Sequence, residues 1–252
     1  VSAVSTSAEE IAAGYEEYDD LPERVLGYPT AFSALRLGAP DVRTVLDYGC
    51  GPGKVALRVA EGYGARVHAV DISARMLAIA RARRAHPLVA YHLVEGASLR
   101  FLPDDSVDAA LCCFVFVTVA EADRLREVCA EVHRVLRPGG RFAVLDVNPD
   151  ATGIRFSTFR TGEPGARYRP GQQRPTWLHL PDGGVLDLAD HHWPRSAYRA
   201  ALAGAGFGDI ACAAPLLGGA DAPAEAPPGS LLDVERPAEA LHPPFLVTSG
   251  VK

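Results

Sequence analysis

A doubly wound, mostly parallel α/β sheet is the fold this sequence predicts. From Val42 onward, short β-branched runs alternate with helical stretches of about 10–15 residues, the signature of strand–helix–strand units. The runs are apolar throughout, as in strands buried on both faces. One of them ends in a glycine-rich turn, with an acid closing the next.

Residues 1–20 are polar and rich in Ala, Ser and Glu, and one or two short helices are expected there, broken at Pro22 and Pro29. Val45-Leu46 forms the first buried strand and Val55 to Glu61 begins a helix. Arg66 to Val70 is the second strand, and Ala74 to Arg84 a helix capped by Ser73. Strands follow at Val89–Val94 and Val107–Phe116. A helix from Glu121 to Leu136 is ended by Arg137-Pro138-Gly139-Gly140, and Arg141 to Val147 is the fifth strand. Residues 150–175 read as loop. Thr176–Leu180 and Val185–Ala189 form a hairpin around Pro181-Asp182-Gly183-Gly184. Pro194 to Ala205 is helical, Asp209 to Ala213 a strand, and 214–240 a mobile Pro/Gly/Ala/Glu-rich connection. Phe245 to Ser249 makes the last strand.

Composition narrows the function classes. The 252 residues are 48% hydrophobic and 22% charged, enough to bury the core of a single domain. A mean hydropathy of +0.04, with no apolar run of about 18 residues, excludes a membrane-spanning helix. A net charge of −6 weighs against nucleic-acid binding, which depends on neutralising phosphates. Five cysteines without Cys-x-x-Cys spacing, and no basic or apolar leader in Val1 to Glu10, fit a reduced, cytoplasmic protein.

The sharpest motif is Val45-Leu46-Asp47-Tyr48-Gly49-Cys50-Gly51-Pro52-Gly53-Lys54. Glycines between a strand and a helix let a ligand touch the backbone beside free helix N–H groups. Asp71, at the end of the second strand, stands where a carboxylate accepts from a ribose diol. The dinucleotide fingerprint would put a glycine at Lys54, and the preceding Asp47 suits an ammonium better than a pyrophosphate. A nucleotide-dependent oxidoreductase is therefore the weaker alternative.

These residues resemble the class I S-adenosylmethionine-dependent methyltransferases. The resemblance extends through Val67–Ser73, Leu102–Asp108 and Arg134–Arg141, in family order across roughly residues 40–150. It implies a Rossmann-like seven-stranded sheet of order 3-2-1-4-5-7-6, the last strand antiparallel, with an N-terminal helical lid and a hairpin insertion. The implied division is 1–40 as lid, 41–150 as cofactor-binding core, 151–193 as acceptor-site cover and 194–252 as the rest of the same sheet. It implies S-adenosyl-L-methionine as cofactor, with Asp47, Gly49, Cys50 and Gly51 at its methionyl end and Asp71 on the ribose. Ile72, Met76 and Phe114 join this cofactor set. The family often has an acid after the third strand to meet the adenine amine. Here that segment is Glu95-Gly96-Ala97-Ser98, so the contact falls to the Ala97 backbone and the Ser98 hydroxyl.

Ligands of such sheets lie beyond the carboxyl ends of the strands. That rule nominates Phe116, Thr118 and Asn148 for the acceptor, with Tyr15, Tyr18, Tyr28 and Trp193 from the covering segments. His191 and His192 are the candidate general bases, of which alternation along an extended chain lets one face the acceptor. No spaced ligand set supports a metal. Asn148-Pro149, the His-Trp segment and Pro243-Pro244-Phe245 resemble the C-terminal half of toxoflavin-type methyltransferases, of the type 11 small-molecule group. That resemblance implies N- or O-methylation of a secondary metabolite, as in antibiotic biosynthesis, by a monomer or homodimer that binds neither nucleic acid nor membrane. A non-catalytic or repurposed S-adenosylmethionine binder is the second alternative, since fold does not settle function.

Overall fold

The computed structural model describes residues 8–219 and 237–252. Most of the connection expected at 214–240 lies outside them. Helix α1 (Ala8–Glu17) leads to a π-wound turn, Glu23–Gly27, that runs directly into α2 (Tyr28–Ala34). Pro22 and Pro29 do not break this stretch. Pro22 precedes the turn, and Pro29 sits in the first turn of α2, where its missing N–H is tolerated.

The strands are β1 (Thr44–Tyr48), β2 (Arg66–Asp71), β3 (Val89–Leu93), β4 (Val107–Cys113), β5 (Leu136–Val147), β6 (Phe159–Thr161), β7 (Gln173–His179), β8 (Val185–His191), β9 (Gly208–Ala213) and β10 (Phe245–Val251). Between them lie helices α3 (Lys54–Tyr63), α4 (Ala74–Arg83), α5 (Ala122–Val135) and α6 (Arg195–Gly204). Seven strands form one sheet, β3-β2-β1-β4-β5-β10-β9, in which β10 runs antiparallel to both neighbours. This is the implied order, with β10 and β9 as its last two positions. Apolar side chains pack on both faces. Leu111, Val45 and Ala143 join the cluster that includes α2 and α3. Leu46, Ala110 and Phe142 join the one that includes α5 and α6. Helix α5 buries Leu125, Val128, Cys129, Val132 and Val135, a single stripe at helical spacing. Each large apolar side chain so buried contributes about 1.5–3 kcal/mol.

Two expectations change. Strand β4 stops at Cys113, and Phe116–Thr118 forms a 3-10 turn instead. Strand β5 begins at Leu136, so Arg137-Pro138-Gly139-Gly140 is strand rather than a break. Leu136 pairs with Val107 on β4, and the Gly139 N–H reaches Lys252 O beyond β10. Partners on both sides override the turn propensity.

The insertion is a three-stranded antiparallel sheet, β6-β7-β8, rather than a hairpin alone. Pro175 lies inside the central strand. Its carbonyl accepts from Gly162, so its own ring nitrogen faces the same way, just past the end of β6 where no ladder bond is lost. Among the described residues no helix is long and apolar enough to cross a membrane.

Candidate active site

The strand order reverses between β1 and β4, and a cavity of about 450 Å³ opens at their carboxyl ends. The glycine loop forms one end. Gly49, Gly51 and Gly53 all have positive φ. A Cβ on Gly49 would stand 2.2 Å from Val115 Cγ2, whereas a Cβ on Gly51 would meet only open space. Gly51 therefore leaves a cradle of exposed backbone toward the cavity. Gly49→Ala is expected to keep the fold but to lose measurable cofactor binding by calorimetry, because it strains φ and drives Val115 into the cradle.

Asp71, at the end of β2, accepts Gly51 N–H on Oδ2 (2.8 Å) and Ser73 N–H on Oδ1 (2.7 Å). The two bonds fix the carboxylate at the loop while each oxygen keeps a lone pair. Ser73 also caps α4, accepting from Met76 N–H at 3.2 Å. Asp47, on β1, is 1% exposed, and its Oδ2 has no partner among the described residues. Burial and the nearby Asp71 push its carboxyl up to about 7, and the backbone of Ala56 relieves it only in part. A ligand with a cation for Asp47 and a vicinal diol for Asp71 fits this donor set.

Ile72, 70% exposed, stands with Met76 on the wall of the same end. Cys50 lines it too, and burial raises its thiol. Ala97 and Ser98 are not brought to the cavity. They line a separate surface depression with Arg100 and Arg134, and Gly96 reaches the cavity in their place, accepting from Tyr48 Oη at 3.2 Å.

Phe114 and Thr118 line the cavity, and Phe114 does so with φ of 58°, an uncommon conformation for an aromatic residue. That turn ends β4 and leans the ring on Phe245, centroids 5.8 Å apart. Tyr15, Tyr18 and Tyr28 also line the cavity. Burial raises all three phenols, and neighbouring carboxylates add to it. The cover is tied down by Glu16, which accepts from Arg84 at 2.8 and 2.9 Å, and by Lys54, whose Nζ donates to Tyr18 O.

Phe116, Asn148 and Trp193 do not line the cavity. Phe116 is fully buried on the far face, stacked on Tyr198. Asn148 is a structural clamp: its Nδ2 donates to Pro243 O at 2.9 Å and its Oδ1 accepts from Asp150 N–H. Trp193 Nε1 donates to Val119 O at 2.9 Å and so anchors the 3-10 turn that carries Thr118. Trp193→Phe is expected to cost about 1–3 kcal/mol of stability, read as a lower denaturation midpoint, because Val119 O loses its donor.

Neither histidine reaches the cavity. The inward face of the insertion is Phe159 on β6, Thr176 and Leu178 on β7, and Leu186, Leu188 and Asp190 on β8. His191 is out of phase with that face, and His192 turns to Arg174, Nδ1 to Nη1 3.4 Å. The residue that alternation brings inward is Asp190. It is 6% exposed, lines the cavity and accepts from Thr176 Oγ1 at 2.7 Å. Burial raises its carboxyl, while Thr176 and the buried Arg174, its cross-strand partner, pull it down. The signal was present in the sequence: Leu186, Leu188 and Asp190 share one parity.

A family profile described as a methyltransferase domain matches residues 45–140. N-demethylindolmycin N-methyltransferase of Streptomyces griseus is 44% identical over 188 residues, covering 73% of this chain and 79% of that protein. Demethylmenaquinone methyltransferase of Deinococcus radiodurans is 33% identical over 162 residues, covering 61% of this chain and 66% of that protein. Among solved structures, the CcbJ methyltransferase of Streptomyces caelestis matches with a TM-score of 0.62 at 21% identity, over 96% of this chain and 95% of that one, a likeness of fold.

Proposed function

This chain belongs to the class I S-adenosylmethionine-dependent methyltransferases, and we propose that it methylates a nitrogen of a small, partly aromatic acceptor, with Asp190 taking the proton the acceptor sheds. The observation that carries this reading is the carboxyl of Asp190, buried, hydrogen-bonded and facing the acceptor end of the cavity. The similarity to an N-methyltransferase acting on N-demethylindolmycin supports it and extends it to tailoring of a secondary metabolite.

S-adenosylmethionine supplies an electrophilic methyl group when bound. Asp47 would hold its cationic end, Asp71 the ribose hydroxyls, and Ile72 and Met76 would flank the adenine. The chain's own work is mainly positioning and drying, since an in-line displacement needs an aligned nucleophile more than a covalent partner. Tyr15, Tyr18, Tyr28, Phe114 and Leu188 form an apolar enclosure for the acceptor. Thr176 fixes one oxygen of Asp190, and the other oxygen takes the proton from the N–H as the new bond forms. His191 and His192 have no part in this step.

The segments divide accordingly: the described residues of 1–40 cover the cavity, 41–150 holds the cofactor, 151–193 supplies Asp190 and Thr176, and the described residues of 194–252 complete the sheet. Five free cysteines, two of them (Cys50 and Cys113) at the cavity, support a reducing, cytoplasmic setting. The acidic net charge supports an acceptor other than nucleic acid or a membrane surface, and the chain works as a monomer or homodimer.

The test is a mass-spectrometric screen of N-demethylindolmycin and small aromatic amines against the matching phenols and carboxylic acids. Turnover of nitrogen acceptors is expected. Turnover confined to phenols or acids would contradict the assignment.

A further inference from the structure

The π-wound turn brings a further carboxyl, Glu23, to the cavity beside the insertion. The Tyr28 N–H bonds Glu23 O, one residue further back than in an α-helix, and such turns gather at functional positions. Glu23 is 5% exposed and lines the cavity. Its Oε1 accepts from Tyr18 Oη at 2.8 Å, and the same hydroxyl lies 2.7 Å from Thr158 Oγ1 beside β6. Its Oε2 is buried and has no partner among the described residues.

Among the described residues no cation is paired with it, and the charge of Lys54 lowers its carboxyl only as a minor effect. Among the described residues, Arg24 and Arg58 pair with Asp20, and Lys54 donates to the Tyr18 carbonyl. A buried carboxyl group left in this state is costly unless a ligand completes it. Burial, with the neighbouring Asp20 adding to it, holds this carboxyl up at about 8. The surrounding wall is aromatic, with Tyr28 and Phe159 on the same cavity.

We propose that Glu23 is a specificity-determining residue of a second polar subsite, one that pairs with an amidine-type nitrogen group on the acceptor. A carboxylate offers two oxygens in one plane, and Oε1 keeps a lone pair beside the Tyr18 bond. Two parallel N–H···O bonds from a planar N–C–N group match that geometry. A delocalised cation also sheds its water more readily than an ammonium and stacks on aromatic rings. The inference rests on the nitrogen-acceptor reading given above.

The experiment titrates the full chain, saturated with S-adenosylhomocysteine, with benzamidine, benzamide and benzoate by calorimetry. Benzamidine is expected to bind roughly 10- to 100-fold more tightly than its near-isostere benzamide, and benzoate to bind weakest. Glu23→Gln is expected to erase the benzamidine preference while leaving S-adenosylhomocysteine affinity unchanged. If Glu23→Gln does not fold, Tyr18→Phe must reduce the same preference, because it frees and misorients Oε1. No preference in the native protein, or one that survives these substitutions, overturns the proposal. A preference lost only in Asp190→Asn overturns it too. The acceptor screen is independent: a Glu23-dependent preference without amine turnover would sink the nitrogen-methylation reading and leave this subsite standing.

Discussion

Asp190→Asn lowers kcat for a nitrogen acceptor by about 10²–10⁴-fold, the span of a lost general base, with cofactor affinity unchanged. The amide keeps the shape and can still meet Thr176, so the loss falls on proton removal rather than on folding. The acid limb of the kcat profile tests the same group. Asp190 is raised by burial, so in the native enzyme activity falls as the pH drops and the carboxylate takes up its proton. Asp190→Asn loses that limb. Substitution of His191 or His192 by Ala leaves kcat within about threefold, since neither side chain reaches the cavity. A large loss in either histidine variant, with Asp190→Asn still active, would reverse the assignment.

Cofactor affinity is expected to depend on pH through Asp47. In the ligand-free protein this carboxyl is protonated below about 7, because burial and Asp71 oppose its charge. A cationic ligand needs the anion, so binding displaces a proton at acid pH. Affinity then rises about tenfold per pH unit toward 7 and levels off above it. Asp47→Asn flattens that profile and weakens binding by roughly 10- to 100-fold, the loss of a hydrogen bond to a charged group. Calorimetry of S-adenosylhomocysteine across pH, in two buffers of different ionisation heat, reads both the slope and the proton released. A flat profile in the native protein would place the ligand's cation elsewhere.

The juxtaposition proposed to hold the cofactor could be read from the sequence because its geometry is local. Asp47, Gly49 and Gly51 lie within one strand–turn–helix connection, and Asp71 ends the adjacent strand, so β1 and β2 pairing brings them together. The part proposed for the acceptor is built from distant pieces. Glu23 depends on a π-wound turn that no periodicity announces, and Pro22 and Pro29 argued for breaks at that place. Strand β6 has three residues, too few to show alternation, and Pro175 disguises the start of β7. The parity of Leu186, Leu188 and Asp190 is in the sequence, but the adjacent histidines drew attention through their chemistry. Asn148-Pro149 and Pro243-Pro244 form a conspicuous pair in the sequence, yet they meet each other and brace the end of β5. Family membership decides between the remaining alternatives of the sequence, against the oxidoreductase.

The central claim is that the chain moves a methyl group from S-adenosylmethionine to an acceptor nitrogen facing Asp190. Its most direct test uses S-adenosylmethionine with an isotope-labelled methyl group and the best acceptor from the screen, with the product's labelled carbon located by NMR. The label is expected on nitrogen, formed by the native enzyme and nearly absent with Asp190→Asn. A label on oxygen or carbon, or equal yields from the two proteins, would contradict it.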